Sequence, residues 1–410
     1  MDATHATGNP EAREARASPG FGRGMRDAWP LDPNVLYLNH GTVGVTPRRV
    51  LAAQQAIRDH IETRPSQFML RELTSITVGM PRLKDRPRMR VAADQVAEFV
   101  GARGGDLVFV DNATTGANAV VRSFDWKPGD EALVTDLGYG GVVNAVRYAT
   151  RERGASMRVV EMPYPPTPER VVEAIEAAIG PRTRMVVTDH IASESALLLP
   201  VAEIASRCRA RSVPLLVDGA HAPGAIALDI PAIGAEWYVA NLHKWAFAPR
   251  SSGILWVEAE RQGEVHPTVI SWGLDRGFTD EFDLPGTRDP SCHLAAPEGI
   301  AFQRELGLEA LRSYNHGLAW RGAHFLAERW GTRFEVPESM VGTMATIPLP
   351  DRAGRDSEQA ARLRDALLFE DAIEVQVHAW RGRVWVRISG QVYNDEDDLA
   401  RLAEAVSRRI

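Results

Sequence analysis

The chain has 410 residues, 44% of them hydrophobic and 25% charged, with 47 Lys and Arg against 54 Asp and Glu for a formal net charge of −7. That length exceeds one compact core and predicts two domains, and the acidic balance lacks the basic excess of a nucleic-acid-binding protein. No apolar run approaches the ~18 residues of a membrane span, the opening MDATHATGNPEAREARASPG has no apolar signal core, and Cys208 and Cys292 stand without CxxC spacing, which points to a reducing cytoplasm and to neither a disulfide framework nor a zinc or other metal site.

In chain order, residues 1–25 read as a disordered tail of Ala, Gly, Pro and charge. Residues 36–39 read as a short strand, His40 to Gly44 as a turn-rich loop, and Pro47 as the first-turn residue of a helix reaching about Glu62. Apolar spacing through Val91, Val96, Phe99 and Val100 predicts a helix over residues 80–99. Residues 107–110 form a strand that runs into Asp111-Asn112-Ala113-Thr114-Thr115-Gly116. A strand, a Thr-Thr-Gly turn and a helix start offer N–H groups, hydroxyls and a positive dipole end to an anion. An ordinary Thr N-cap is the other reading.

Strands over 132–135, 158–162, 185–188 and 215–217 alternate with helical stretches, among them 171–179 and 202–211. That alternation argues for a parallel or mixed sheet with right-handed crossovers. The first of these strands delivers Asp136-Leu137-Gly138-Tyr139-Gly140-Gly141, in which glycines free the backbone around one aromatic. The third delivers Asp189-His190-Ile191-Ala192-Ser193-Glu194-Ser195-Ala196. The last ends in Asp218-Gly219, a buried strand bringing its carboxylate to the sheet edge where open α/β sheets bind ligands.

Lys244, in Asn241-Leu242-His243-Lys244-Trp245, returns to that edge through one crossover, and among Trp245, Ala246 and Phe247 its amine is expected to be buried with a lowered pKa. An acid and a lysine in one crevice suit pyridoxal phosphate (PLP) chemistry: the lysine holds the aldehyde as a Schiff base and the acid keeps the pyridine nitrogen protonated. A helix-capping Asp218 and a surface Lys244 are the plain alternatives. No GxGxxG opens a helix after the first strand, which disfavours a nicotinamide dehydrogenase. Residues 254–257 read as an antiparallel partner strand and 295–329 as a long helical link. A small sheet from 341–348, 373–378 and 384–388 follows, with helices over 357–369 and 396–409.

The combination of VDGAHAPG, NLHKW, SWG and GTRD resembles the fold-type I PLP enzymes of the class V aminotransferase and cysteine desulfurase superfamily, and within it the isopenicillin N epimerase group. The similarity runs from LNHGTVGVTP to VRISGQVYND. It implies an α/β fold of the PLP-dependent transferase type I, with a large domain (26–285) built on a mostly parallel seven-stranded sheet and a small α+β C-terminal domain (286–410). It implies pyridoxal 5'-phosphate as cofactor, bound by Thr114, Thr115, Tyr139, Ser193, Asp218, His221, Asn241, His243 and Lys244. Thr287 joins this set from a loop that reaches the neighbour's phosphate in a homodimer with shared active sites. Catalysis falls to Lys244, His221 and Tyr139. Substrate binding falls to Asn39, Arg288 and Arg387, the last as a bidentate clamp on the α-carboxylate.

The implied substrate is a small-molecule amino acid attacked at Cα, with no nucleic-acid or membrane partner. Racemisation needs a second acid/base group, for which His190, His221, Tyr139 and His378 are candidates. C–S elimination needs only a leaving group, and transamination needs reprotonation on the cofactor. Residues 377–382 hold no cysteine, which argues against a persulfide-forming desulfurase. The chain departs from its relatives at Ser193-Glu194-Ser195-Ala196, where they carry a Ser-Pro-Thr-Gly type turn and Glu194 adds a charge. The expectation is an epimerase-type PLP enzyme, with a C–S lyase, an aminotransferase and a catalytically silent binding protein as alternatives.

Overall fold

Twelve strands form three sheets in a computed structural model that describes residues 20–77, 81 and 85–410. In chain order they are β1 (Leu36–Tyr37), β2 (Leu107–Val110), β3 (Glu131–Thr135), β4 (Ser156–Val160), β5 (Thr183–Asp189), β6 (Leu215–Asp218), β7 (Trp237–Asn241), β8 (Gly253–Val257), β9 (Met344–Pro348), β10 (Ile373–Glu374), β11 (Gln376–Trp380) and β12 (Arg383–Ser389). The main sheet has the order β2-β8-β7-β6-β5-β3-β4. Its members β7, β6, β5, β3 and β4 are parallel, and β8 is antiparallel to both its neighbours. This is the mostly parallel seven-stranded sheet that the resemblance implied.

The central strands read as unbroken apolar runs because both faces are covered. Side chains alternate between two cores. Leu215, Val217, Tyr238 and Ala240 pack with the helices Arg88–Phe99 and Val201–Ala210. Leu216, Trp237 and Val239 pack with Ala113–Ser123 and Gly140–Glu152. A second layer is the antiparallel sheet β11-β12-β9, with helices Leu308–Trp330, Ser357–Phe369 and Glu396–Ser407 supplying its core. Strand β1 pairs with β10, so Leu36 and Leu38 join this C-terminal core although they come early in the chain.

Several boundaries differ from expectation. Residues 1–19 of the expected tail, and 80 and 82–84 of the expected helix 80–99, lie outside the described residues. The tail's last residues are not free, since Arg23–Ala28 form a 3-10 helix and Arg23 pairs with Asp398 at 2.8 Å. The helix expected from residue 80 starts at Arg88, because Pro87 has no N–H to donate and clashes with a preceding turn. Residues 40–44 contain a helical turn, closed by Gly44 N–H on the His40 carbonyl at 2.8 Å. The helix expected over 295–329 is broken at Gly307, whose φ of 86° separates Ala296–Leu306 from Leu308–Trp330.

Two glycines bring other segments against the backbone around Lys244. Gly44 (φ +67°) and Gly224 (φ +88°) lie so close that a Cβ would overlap the carbonyls of His243 and Trp245. Both use the left-handed conformation that glycine adopts without a steric cost.

Candidate active site

The last residues of β5 and β6, Asp189 and Asp218, are register partners on parallel neighbours, so two carboxylates leave the sheet side by side at its C-terminal edge. Both are buried and both line a cavity of about 570 Å³. Burial pushes the Asp218 carboxyl up to about 6. Burial and then the adjacent Asp218 hold Asp189 well above the usual carboxylate range. Asp218 Oδ1 accepts the Ala220 N–H at 3.0 Å, and its Oδ2 has no hydrogen-bond partner among the described residues.

Strand β7 ends at Asn241, and the chain turns back through a loop in which Leu242 and His243 both donate to the Ser252 carbonyl. Lys244 sits in this loop, 8% exposed, with Nζ 3.1 Å from His221 Nε2. The Trp245 indole N–H lies 3.4 Å from His221 Nδ1. An indole nitrogen only donates. His221 therefore accepts at Nδ1 and presents Nε2 to the Lys244 amine. Burial and then the nearby Arg387 guanidinium lower Lys244 to about 8, so its amine gives up its proton more readily than an exposed lysine. Burial and the lysine charge also keep His221 neutral, well below the usual imidazole value. His40 holds the Lys244 carbonyl from behind at 3.0 Å.

One end of the cavity is the start of helix Ala113–Ser123. Asn112, rather than a threonine, is its cap, with Oδ1 accepting the Thr115 N–H at 2.9 Å. Asn241 Oδ1 accepts the Ala113 N–H at 2.8 Å and so joins β7 to this helix start. Thr114, Thr115, Asn241, His243, Arg250 and Ser251 line the cavity here. His243 is bonded through Nδ1 to the Ser252 carbonyl at 3.0 Å, and burial lowers it to about 4, so Arg250 brings the fixed positive charge to this end.

The other end opens into a second cavity of about 710 Å³, which shares Thr42, Val43, Tyr139, Ser193 and Lys244 with the first. Arg387 of β12 lines it, 2% exposed. Its guanidinium donates to the Ser193 carbonyl, to Thr42 Oγ1 at 2.6 Å and to Asn39 Oδ1 at 3.2 Å, all neutral acceptors, and its Nε has no partner. Burial without a bonded carboxylate pulls it down to about 10.

The remaining expected residues are distributed unevenly. Tyr139 and Ser193 line both cavities, and the Tyr139 N–H reaches Asp189 Oδ1 at 3.4 Å. Asn39 lines neither cavity and touches Arg387. Arg288 bonds Asp111 at 2.8 Å on the rim of the first cavity, away from the Arg387 end. Thr287 is exposed and lines neither cavity of its own chain. His190, bonded to Tyr238 at 2.8 Å, and His378, with neither ring nitrogen bonded, also line neither, and burial takes both to about 4.

Sequence reasoning passed over Asp189, Thr42 and Arg250. Asp189 carried a signal, since it ends an apolar strand just as Asp218 does. Another cavity, about 740 Å³, lies between helices Arg48–Thr63 and Arg88–Phe99. Its Arg88 and Arg86 are already paired with Glu72 at 3.0 Å and Asp94 at 2.9 Å, so among the described residues it offers no free cation comparable to Lys244.

Residues 80–402 match the family model for aminotransferase class-V. The chain is 32% identical to isopenicillin N epimerase from Streptomyces clavuligerus, covering 92% of this chain and 95% of that one. It is 30% identical to putative L-cysteine desulfhydrase 1 from Oryza sativa subsp. japonica, covering 92% and 84%. The apo structure of cysteine desulfurase from Thermococcus onnurineus NA1 superposes with a TM-score of 0.76 at 17% identity, covering 96% of this chain and 98% of the other. The chain belongs to the class-V aminotransferase family, a family of pyridoxal 5'-phosphate enzymes. The residues present fit that group. A buried carboxylate oxygen without a partner, a buried amine and a helix N-terminus with hydroxyls share one cavity.

Proposed function

Within that family, we propose that this chain acts at Cα of an amino acid and epimerises it, in the manner of isopenicillin N epimerase. One observation carries the reading: the buried amine of Lys244 stands where a cavity holding the unpartnered Asp218 oxygen meets a cavity holding a buried Arg387 with only neutral acceptors. Bound PLP supplies an electron sink for the negative charge left at Cα. Asp218 Oδ2 takes the ring-nitrogen end. Thr114, Thr115, Asn241 and His243 hold the phosphate, with Tyr139, Ser193 and His221 around the ring. Arg387 takes the α-carboxylate in a charge-assisted clamp, and Asn39 fixes the guanidinium. Lys244, oriented by His221, removes the Cα proton. Tyr139, whose residue lines both cavities, returns a proton.

A second reading, C–S elimination, draws on a specific observation. His190 and His378 lie outside both cavities, which leaves few groups for a second proton transfer, and elimination needs none. Incubating the enzyme in D2O with a panel of amino acids separates the cases. Deuterium at Cα with loss of optical rotation marks epimerisation, thiol with a 2-oxo acid marks C–S lysis, and a 2-oxo acid alone marks transamination. Neither exchange at Cα nor a 2-oxo acid from any amino acid sinks all three.

The same reading carries a cytoplasmic homodimer with shared active sites. Val269, Ile270 and Trp272 are 55%, 53% and 63% exposed just before Thr287. Such a patch suits burial against a second copy, which brings Thr287 toward the neighbour's phosphate end and Arg288 beside it. It also carries a division at residues 26–285 and 286–410, across which β1 pairs with β10. Sedimentation velocity tests the dimer: a monomer at micromolar concentration contradicts it.

A further inference from the structure

The cavity beyond Lys244 carries one charge that the proposed function leaves unused. Its charged lining residues are Asp136, Glu194, Lys244 and Arg387. Asp136 is committed, with Oδ2 3.2 Å from the Arg381 guanidinium and Oδ1 accepting the Met162 N–H at 2.9 Å. Lys244 and Arg387 are taken by the cofactor and the α-carboxylate. Glu194 remains, exposed to the cavity and, among the described residues, with no bonded partner for its carboxylate.

The backbone holds Glu194 in place. The Ser193 carbonyl accepts from Arg387, the Glu194 carbonyl accepts from Thr346 Oγ1 at 2.6 Å, and Ala196 closes the turn on Ala192 with a φ of 60°. Residues on both sides are fixed to the C-terminal sheet or to the turn, and the carboxylate stands at its apex. Its field favours the charged form of Arg387, so in the free protein the two charges partly balance. A substrate carboxylate on Arg387 removes that balance and adds a second negative group nearby. A neutral or anionic side chain leaves Glu194 uncompensated, whereas a cation restores neutrality. Tyr139 and Trp380 in the same wall suit a cation as well, since ring faces attract ammonium and guanidinium groups. One face of Trp380 already carries the Arg381 guanidinium at 4.5 Å.

We propose that Glu194 selects amino acids whose side chain ends in a positive charge, such as an ammonium, amidinium or imidazolium group. This rests on the reading of Arg387 as the α-carboxylate clamp. The test uses the PLP-loaded enzyme and three probes of similar length: S-(2-aminoethyl)-L-cysteine, S-propyl-L-cysteine and S-(carboxymethyl)-L-cysteine. Dissociation constants come from the change that each produces in the cofactor's visible absorption. The expected order is cationic, then neutral, then anionic, with the cationic probe about tenfold tighter than the neutral one. In Glu194→Gln that ratio falls toward one, and in Glu194→Lys the order inverts. Equal affinities in the wild type, or a ratio that survives Glu194→Gln, overturn the selection by Glu194 while leaving the amino-acid site intact. No spectral change with any probe overturns the amino-acid site itself, and this inference with it.

Discussion

Two buried acids in this chain are shifted alike and used differently. Burial pushes the carboxyls of Asp283 and Asp218 each to about 6. Asp283 takes the Arg90 guanidinium at 2.6 Å, and Arg90 Nη1 donates to the carbonyls of Gly104 and Leu107. Asp218 has no bonded cation among the described residues. Its one contact is the Ala220 N–H, and it lines the cavity that also holds Lys244. Each acid keeps one oxygen without a partner, so neither the shift nor the orphan atom separates them. The separation lies in the cation. One acid is closed into a structural pair, and the other leaves its charge available beside a cavity.

Mutation separates the two roles most sharply. Arg90→Ala strands the Asp283 charge in the interior and is expected to cost ~3–5 kcal/mol of stability, read as a large drop in the midpoint of chemical unfolding. Asp218→Asn is expected to leave that midpoint within ~1 kcal/mol of the apo wild type. It slows deuterium exchange at Cα roughly 100-fold or more, because the ring nitrogen loses its charge-assisted partner. A Cα exchange rate that survives Asp218→Asn would place Asp218 with Asp283 as a structural acid. Next in size, Arg387→Ala is expected to remove the proposed carboxylate clamp and to weaken amino-acid binding by ~2–4 kcal/mol, or roughly 30- to 1000-fold in Kd.

The smallest effect is a pH dependence. Burial and Arg387 lower Lys244 from 10.5 to about 8, so the free amine forms at lower pH than in an exposed lysine. The rate of covalent cofactor capture by apoprotein is expected to rise roughly tenfold per pH unit below 8 and to level off above it. A rise that continues through pH 10 means that the amine is not desolvated. The sign follows from the charged form being the one that burial disfavours.

Much of this layout is legible in the sequence, for identifiable reasons. The strands of the main sheet announce themselves as apolar runs because both faces are covered, and Asp218 is visible as the acid that ends one. Lys244 is visible as a lysine set among aromatics. Boundaries fail where one residue overrides the periodicity, as at Pro87 and at Gly307. The Asp189–Asp218 pair is hidden because adjacency comes from cross-strand register between β5 and β6. Arg387 has no local signal, since its burial depends on Asn39, Thr42 and Ser193 arriving from distant segments. The Asn112 cap is a choice among three polar residues that only the helix start decides.

The central claim concerns one amine, and composition makes it unusually clean to test. The chain has three lysines, Lys84, Lys127 and Lys244. Loading the protein with PLP, reducing it with borohydride and mapping the labelled peptide reads the attachment site directly, alongside the visible spectrum of wild type and Lys244→Ala. The account predicts a yellow wild type labelled at Lys244 and a variant that loses both band and label. A wild type that stays colourless with excess PLP, or a label on Lys84 or Lys127, contradicts it.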